Sequence, residues 1–268
     1  MNTRTSRRGF ITKALAAGGV SALPAFGRAA SPLPQRRRGA RALFVYGGWD
    51  GHQPAMCRDL FVPWLESTGY EVVVSDNQEP YADETLMKNL DLIVQIWTMG
   101  TIEKKPLDGL LAAVKGGVGL AGWHGGLADA YRTETEYEYM VGGNWVAHPG
   151  NQIDYRVHIV DTDDPITAGL SDFDVHSEQY FMHVNPNNHV LATTGFTAAH
   201  DPWIGGSTMP VAWKKLHGMG RVFYTSLGHS PEVFGVPEAL TLMQRGMLWA
   251  GESRHEATPD LVSPRYPL

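Results

Sequence analysis

The chain has 268 residues, of which 22 are basic and 28 are acidic, and its formal net charge at pH 7 is −6. Five of the basic residues and none of the acidic ones lie in residues 1–30, so the remainder carries a formal charge of −11. An acidic chain of this kind is a poor candidate for binding nucleic acid or anionic lipid, and it is long enough to bury one substantial core.

Residues 1–30 have the pattern of a twin-arginine export signal. Arg7 and Arg8 precede an apolar segment of small residues over positions 14–26, and Ala29 and Ala30 follow it. This order predicts export to the periplasm by the twin-arginine route; the alternative is a disordered or membrane-anchored N-terminus. The apolar segment is shorter than the ~20 residues that a spanning helix needs, so no membrane span is expected after processing.

The sequence divides into a linker, one folded domain and a tail. Residues 31–41 are rich in proline and arginine and are predicted to form the linker. The domain is expected over residues 42–251 and the tail over residues 252–268. In the first half of the domain, apolar runs predict strands over residues 42–46, 70–75, 90–97 and 118–122, and amphipathic segments predict helices over 56–68, 83–88 and 103–114. Apolar strands that alternate with helices indicate a parallel sheet covered on both faces.

The second half of the domain has a different pattern. A helix is predicted over residues 133–140, a loop over 141–149 and a final helix over 237–250. Between them, strands or alternating segments are predicted over residues 155–160, 174–181, 189–194, 209–216 and 220–226. These segments add further strands to the predicted α/β sheet.

The apolar run over residues 118–122 ends abruptly in Trp123, His124, Gly125 and Gly126. The two glycines allow a sharp turn and a close approach of the backbone. Because open α/β sheets place their chemistry at the carboxyl ends of the strands, a histidine on this turn would point into a crevice. The alternative is a surface histidine in an ordinary turn.

Several histidines share this kind of position, directly after a strand or in a loop rich in glycine or proline. They are His52, His124, His148 and His229. Turns after successive parallel strands meet at one edge, so three or four imidazoles and a carboxylate there could form a metal site or an acid/base site. The best carboxylate candidate is Glu178, which lies in an amphipathic stretch with Tyr180 and His183.

Other chemistries lack their motifs in this sequence. It contains no HExxH, no GxSxG elbow, no GxGxxG after the first strand and no Walker sequence, so no nucleotide is expected. The single cysteine, Cys57, allows no internal disulfide. Aromatic side chains beside polar loops suit sugar rings, and the candidates for substrate contact are Trp49, Trp123, Trp145 and His183. The alternative for each tryptophan is a place in the core or at its rim.

The chain resembles the ThuA-like family, named for trehalose utilisation. The resemblance is carried by residues 47–52, 119–148, 164–170, 177–180 and 210–213, and most specifically by GMGRVFYTSLGHSPEVF at 218–234. It implies a flavodoxin-like, class I glutamine amidotransferase-like α/β fold: a three-layer sandwich with a mainly parallel central sheet. Amidotransferases carry a nucleophilic cysteine on the turn after a central strand. This chain has His124 there, so glutaminase chemistry is not expected.

The resemblance also implies a place in oxidative sugar metabolism, beside dehydrogenases that make 3-keto-glycosides. A keto group at C3 acidifies the proton on C2, so a base can remove that proton and expel the glycosidic substituent. We therefore expect a lyase, hydrolase or isomerase of keto-glycosides. A divalent metal such as zinc would be held by His124, Glu178 and His229. Acid/base and substrate roles fall to His52, His124, His148 and Tyr180.

Two other functions would use the same residues. One is a non-catalytic sugar-binding protein, and the other is an accessory subunit of an exported sugar oxidoreductase. A carbohydrate is the expected small-molecule ligand, and the partners considered are a second copy of the chain and a sugar oxidoreductase.

Overall fold

The structure is a computed structural model that describes residues 39–256. The predicted export signal, most of the linker and the residues after 256 lie outside the described part. The first half alternates strands and helices: β1 (Ala40–Gly48), α1 (Pro54–Ser67), β2 (Tyr70–Ser75), α2 (Glu84–Lys88), β3 (Leu92–Thr98), α3 (Lys104–Lys115), β4 (Gly119–Trp123) and α4 (His124–Ala128).

The second half is richer in strands. It contains α5 (Thr135–Val141), β5 (Gly143–Ala147), β6 (Gln152–Ile159), β7 (Phe173–Glu178), β8 (Phe181–Val184), β9 (His189–Gly195), β10 (Thr208–His217), β11 (Gly220–Thr225) and α6 (Pro237–Gly251). The prediction of a loop over residues 141–149 was wrong, because β5 forms an antiparallel pair with β8 in which Trp145 lies opposite Met182. The glycines and the proline around β5 are typical of a loop, and the strand forms only because it pairs with the distant β8.

Nine strands form the central sheet in the order β2-β1-β3-β4-β11-β10-β9-β6-β7. The first five in this order run parallel, and the other four extend the sheet with antiparallel pairs. The central position of β4, between β3 and β11, explains why its sequence is apolar throughout. This architecture confirms the predicted α/β sandwich around a mainly parallel sheet.

The two faces of the sheet carry separate cores. On one face, Phe61 of α1 and Met247 of α6 pack in the same cluster as Ala121 of β4. On the other face, Leu110 of α3 belongs to the cluster that contains Leu120, the preceding residue of β4. Since successive strand residues point to opposite faces, β4 contributes to both cores and holds the three layers together.

The boundaries of the domain differ slightly from the predicted ones. β1 begins at Ala40, two residues before the predicted start, because Ala40 and Arg41 already pair with Tyr70 and Glu71 of β2. Residues 252–256, predicted to belong to the tail, pack against β11, where Arg221 Nη1 donates to Glu256 Oε2 at 2.9 Å. Within residues 39–256, no helix is both long enough and apolar enough to cross a membrane.

One edge of the sheet collects the segments that matter for function. β1, β3, β4 and β11 all end at this edge, which we call the site edge. The antiparallel registers place the start of β10 and the end of β9 there, since Ala212 lies opposite Thr225 and Thr208 lies opposite Gly195. They also place Glu178, at the end of β7, opposite Gln152, the first residue of β6.

Candidate metal and substrate site

His124 is fixed by both its backbone and its ring. It starts α4 directly after β4 with a φ of +50°, a region that residues other than glycine seldom occupy. The hydroxyl of Tyr224 donates to the carbonyl of His124 at 3.2 Å, and the Nδ1–H of His124 donates to the carbonyl of Ser226 at 2.7 Å. The ring is 1% exposed, and this geometry leaves its Nε2 as the atom available to the crevice.

Glu178 is the carboxylate on which three imidazoles converge. Its Oε2 lies 3.0 Å from His124 Nε2, 3.2 Å from His229 Nδ1 and 4.0 Å from His52 Nε2. One ligand atom from each of the four residues fits within a group in which all lie within 4.8 Å of one another. The structure therefore brings together the three residues that the sequence suggested for a metal, and it adds His52 to them.

The other two histidines are positioned by tight turns after β1 and β11. His52 ends a 3-10 helix over Asp50–His52, and its Nδ1 lies 2.8 Å from the hydroxyl of Thr98 at the end of β3. Gly125 makes room for this ring, because a Cβ at that position would come within 2.7 Å of His52 Cε1. His229 follows Gly228, whose φ of +93° favours glycine.

Burial sets the protonation state of this cluster. It lowers the pKa of His52 to about 3, with the nearby His124 and His229 adding to the effect, and it also lowers the pKa of His124. Burial alone would raise the pKa of Glu178, but the close approach of His124 and His229 outweighs burial and holds this pKa well below its usual value. A neutral imidazole and a carboxylate anion are the states in which these two kinds of group bind metals.

The proton positions indicate that a cation fits among these atoms. Because the Nδ1–H of His124 is used by Ser226, its neutral ring directs a lone pair from Nε2 towards the carboxylate of Glu178, 3.0 Å away. His229 Nδ1 is buried and lies 3.2 Å from Glu178 Oε2 without making a well-formed hydrogen bond within residues 39–256. A metal ion with bonds of ~2.1 Å would satisfy these atoms, and three imidazoles with one carboxylate suit zinc or a similar ion. The bond from His124 to a backbone carbonyl is also a typical support for a metal-binding histidine.

His148 and Tyr180 border the cluster without belonging to it. His148 Nε2 lies 3.8 Å from Glu178 Oε1, and its buried Nδ1 has no hydrogen-bond partner within residues 39–256. Tyr180 stacks on the ring of His124 with centroids 4.0 Å apart. Burial raises the pKa of the Tyr180 hydroxyl well above its ordinary value, so this group stays protonated and can act as a donor.

The four residues suggested for substrate contact have different surroundings. Trp49 is 45% exposed, and its ring meets that of His52 edge to face at 4.7 Å, so it lies at the rim of the site. The prediction for Trp123 was wrong: its indole is 2% exposed and packs against Phe61 and Phe234 in the core. A ring that is 2% exposed offers no surface to a sugar.

Trp145 and His183 are also less available than the sequence suggested. One face of the Trp145 indole is covered by the guanidinium of Arg132, whose carbon lies 4.9 Å from the ring centroid. His183 is exposed on β8, where it interacts electrostatically with Glu138 of α5, and it does not belong to the cluster around Glu178. Arg132, which also pairs with Asp129, and Thr98 are site residues that no sequence motif indicated.

A second group of metal-type side chains consists of Asp161, Asp164 and His189. Here the ammonium group of Lys214 already pairs with Asp164, and His189 Nε2 lies 2.7 Å from Asp161 Oδ2. Both carboxylates thus already have partners within the protein, and we interpret the group as structural.

The fold and the site together define an α/β sandwich that presents a His/Glu cluster at the site edge of its sheet. The chain belongs to the ThuA family, described as trehalose utilisation, whose model matches residues 41–250. This membership confirms the resemblance seen in the sequence and indicates a role in carbohydrate utilisation. No curated protein matches the chain.

Solved structures support the same fold. A putative ThuA-like protein from Bacteroides uniformis is 17% identical, with a TM-score of 0.69 over 82% of this chain and 95% of the other. One from Parabacteroides merdae is 17% identical, with a TM-score of 0.64 over 86% and 94%. A cytoplasmic protein from Salmonella typhimurium is 14% identical, with a TM-score of 0.55 over 80% and 98%. At these identities the likeness concerns the fold alone.

Proposed function

We propose that this protein is an enzyme that acts on 3-keto-glycosides, as a lyase or hydrolase, with a divalent metal held by His52, His124, Glu178 and His229. The observation that carries the proposal is the 3.0 Å approach of His124 Nε2 to Glu178 Oε2 in a ring whose Nδ1 already contacts the carbonyl of Ser226. A buried pair of acceptors costs free energy unless a cation or proton lies between them. When bound, a divalent ion supplies Lewis-acid polarisation of a keto or hydroxyl oxygen.

His148 is the side chain best placed to move the substrate proton. It borders the four-residue cluster, it is partly open to the crevice, and its Nδ1 is not committed to another group of the described chain. In the proposed reaction a ring nitrogen of His148 takes the proton from C2 of the keto-sugar. The electron pair of the C2–H bond then becomes the C2–C3 double bond, and negative charge develops on the C3 oxygen.

Tyr180 is suited to act as a hydrogen-bond donor, whereas His148 accepts the substrate proton. Its hydroxyl stays protonated, and its ring position is fixed by stacking on His124. It can donate a hydrogen bond to the developing oxyanion or to the glycosidic oxygen. As the C3 carbonyl re-forms, the electrons of the C2–C3 double bond become a C1–C2 double bond, the C1–O bond breaks and the leaving oxygen takes a proton. Water added across the double bond afterwards would complete a hydrolysis.

The direct test is metal content and turnover in the wild type, His229→Ala and His148→Ala. We expect about one equivalent of a divalent metal in the wild type and in His148→Ala, but little in His229→Ala. The reason is that His229 belongs to the metal-type cluster, whereas His148 lies outside it. Turnover of a 3-keto-glycoside should fall in both variants, by about 10²- to 10⁴-fold in His148→Ala if it is the general base. Elemental analysis and a steady-state assay give both results.

Two results would count against this assignment. A wild type free of metal that still turns over the substrate would remove the metal from the proposal. A wild type that binds sugar saturably but turns over none of the keto-glycosides offered would instead support the non-catalytic sugar-binding protein.

We also propose that the protein is exported to the periplasm, supported by the paired Arg7 and Arg8 and the apolar segment that follows them. Replacing both arginines by lysine should retain the protein in the cytoplasm, because the export machinery reads the arginine pair. Immunoblotting of periplasmic and cytoplasmic fractions measures the location. An unchanged distribution would rule out this route, and Lys13→Arg serves as the matched control.

A further inference from the structure

A groove lies between α2 and α3, on the face of the sheet that carries Leu110. Its volume of about 560 Å³ is in the range of binding clefts in proteins. Tyr81, in the 3-10 helix over Glu79–Ala82, and Met87 of α2 are buried residues that line it. Small residues in and directly after α3 line the opposite side: Gly109, Ala112, Ala113 and Gly116. We call this surface the α2–α3 groove.

The groove exists because α3 carries no large side chain on this side. Positions 109, 112, 113 and 116 have the spacing of one helical face, and they hold only glycine and alanine. At Gly109 the helix comes so close to the 3-10 helix that a Cβ would lie 1.9 Å from the carbonyl oxygen of Tyr81. Further along α3, Ala112 is exposed. Within residues 39–256 the groove therefore stays open to solvent, although covering apolar surface is favourable.

The chain itself leads to one end of the groove. Arg254, three residues after α6, lines the groove, and its Nη1 donates to the carbonyl of Lys88 at 2.7 Å. A Cβ at Gly117 would lie 3.5 Å from Arg254 Cγ, and His255 Nε2 lies 2.7 Å from Asp91 Oδ1. Lys88, Asp91 and Gly117 precede β3 and β4, so they lie at the edge opposite the site edge. The chain thus turns from α6, on one face of the sheet, around this edge to the C-terminal end of α3 on the other.

Residues 257–268 continue from this point with the sequence ATPDLVSPRYPL. The apolar side chains of this segment include Leu261, Val262 and Tyr266, and prolines occupy positions 259, 264 and 267. Proline fixes φ near −65°, so a segment of this kind loses less conformational entropy when it binds in an extended form. Its composition therefore suits binding along an apolar groove.

The segment is long enough for the groove. The groove follows α3 from Lys105 to Gly116, eleven residue steps that span ~17 Å at 1.5 Å each. An extended chain covers this distance with about five or six residues at ~3.3 Å each. Leu261 and Val262 follow Arg254 by seven and eight residues, so the connection brings them within reach of every part of the groove.

Charges at the rim of the groove also fit this segment. The acidic rim residues Glu84 and Asp108 are already paired with lysines of their own helices. Arg254 and Lys105, at opposite ends of the groove, have no acidic partner within residues 39–256. Asp260 is six residues from Arg254 and supplies an acid to this rim.

We propose that residues 257–268 bind in the α2–α3 groove and join the end of α6 to the layer that contains α2 and α3. Docking of the segment covers apolar surface that residues 39–256 leave open. The segment would act as a strap across two layers of the sandwich, and this inference does not depend on the proposed function.

The first test is a pair of cysteines, Ala112→Cys with Val262→Cys, in the full chain. The native Cys57 is buried, so it does not compete. After oxidation with diamide, non-reducing electrophoresis and mass analysis of the alkylated protein measure the disulfide. Ala55→Cys with Val262→Cys is the matched control, because Ala55 is also an exposed helical alanine but lies on α1, at the other face of the sheet. We expect a disulfide within one chain in the first pair, formed at least tenfold faster than in the control.

The second test ends the chain at Glu256. We expect the shortened chain to melt about 2–4 °C below the full chain, because the apolar surface of the groove is then uncovered. A synthetic peptide of residues 257–268 should bind the shortened chain at least tenfold more tightly than the full chain, in which the tethered segment competes at a millimolar effective concentration. Calorimetric titration measures both affinities, and the same peptide with Leu261→Asp and Val262→Asp should bind neither chain.

Three results would overturn this docking. The first is a control pair that forms its disulfide as fast as the groove pair. The second is a disulfide that joins two chains, which would make a second copy the occupant of the groove. The third is a shortened chain that keeps the Tm of the full chain and does not bind the peptide.

Discussion

Replacing Glu178 with glutamine should abolish metal binding and turnover while raising the stability of the metal-free protein. The carboxylate is the one acid in the cluster, and it is 10% exposed and faces three imidazoles. Loss of several kcal/mol of Lewis-acid stabilisation corresponds to a fall in kcat of about 10³-fold. Elemental analysis and steady-state kinetics measure these two effects.

Glu178→Gln should raise the stability of the metal-free protein although it abolishes turnover. The reason is that an amide can donate a hydrogen bond where a carboxylate cannot. In Glu178→Gln the new N–H can reach the lone pair on His124 Nε2, which lies 3.0 Å from the present oxygen. A hydrogen bond in place of two facing acceptors is worth about 1–3 kcal/mol, and each kcal/mol raises Tm by about 2–4 °C in a domain of this size. The comparison is the Tm of chelator-treated wild type against that of chelator-treated Glu178→Gln.

Glu136→Gln, on the exposed surface of α5, is the matched control and should leave metal, turnover and Tm unchanged. If metal-free Glu178→Gln melted below the metal-free wild type, the lone-pair conflict would not exist in the protein. No cation would then be needed between His124 and Glu178.

The second large effect is expected from Trp123→Ala, which should lower the free energy of unfolding by about 3–5 kcal/mol. The indole contacts Phe44, Phe61 and Phe234 at centroid distances of 6.4, 4.9 and 5.6 Å, and truncation leaves a cavity among rings that cannot all move. Urea denaturation followed by circular dichroism measures the loss. Because Trp123 precedes His124, turnover should fall as well.

Trp49→Ala is the contrasting variant, since Trp49 is partly exposed and meets His52 at the rim. It should cost less than about 1 kcal/mol of stability, as surface substitutions usually do, and raise KM for the keto-glycoside. Equal losses of stability in the two variants would contradict the distinction between a core tryptophan and a rim tryptophan.

The parallel half of the fold and the positions of the site histidines could be predicted because both depend on local sequence patterns. β2 was predicted at its observed bounds, and the turns after β1, β4 and β11 that carry His52, His124 and His229 were recognised from their glycines. The rule that such turns converge at one edge requires only that the strands be parallel. The choice of Glu178 as the carboxylate relied on its place in an amphipathic stretch.

The other features of the fold and of the site depend on contacts between segments that are distant in the sequence. Nothing near Glu178 in the sequence indicates that the end of β7, an outermost strand, lies 3.0 Å from the histidine that directly follows the central strand β4. Trp123 and Trp49 both adjoin glycine-rich turns, and only the packing distinguishes core from rim. β5 was missed because its partner β8 lies almost forty residues further along the chain.

The four residues of the cluster occupy positions 52, 124, 178 and 229, so they are spread over most of the described chain. An ion held by them would act as a crosslink between the first and the last strand of the parallel half. In an unfolded or incomplete chain these residues are far apart, so the free energy of ion binding is also free energy of folding. A nascent chain cannot complete the cluster until β11 and the turn after it have been synthesised. Ion uptake would therefore mark the finished domain, and a protein exported in the folded state would acquire its ion in the cytoplasm.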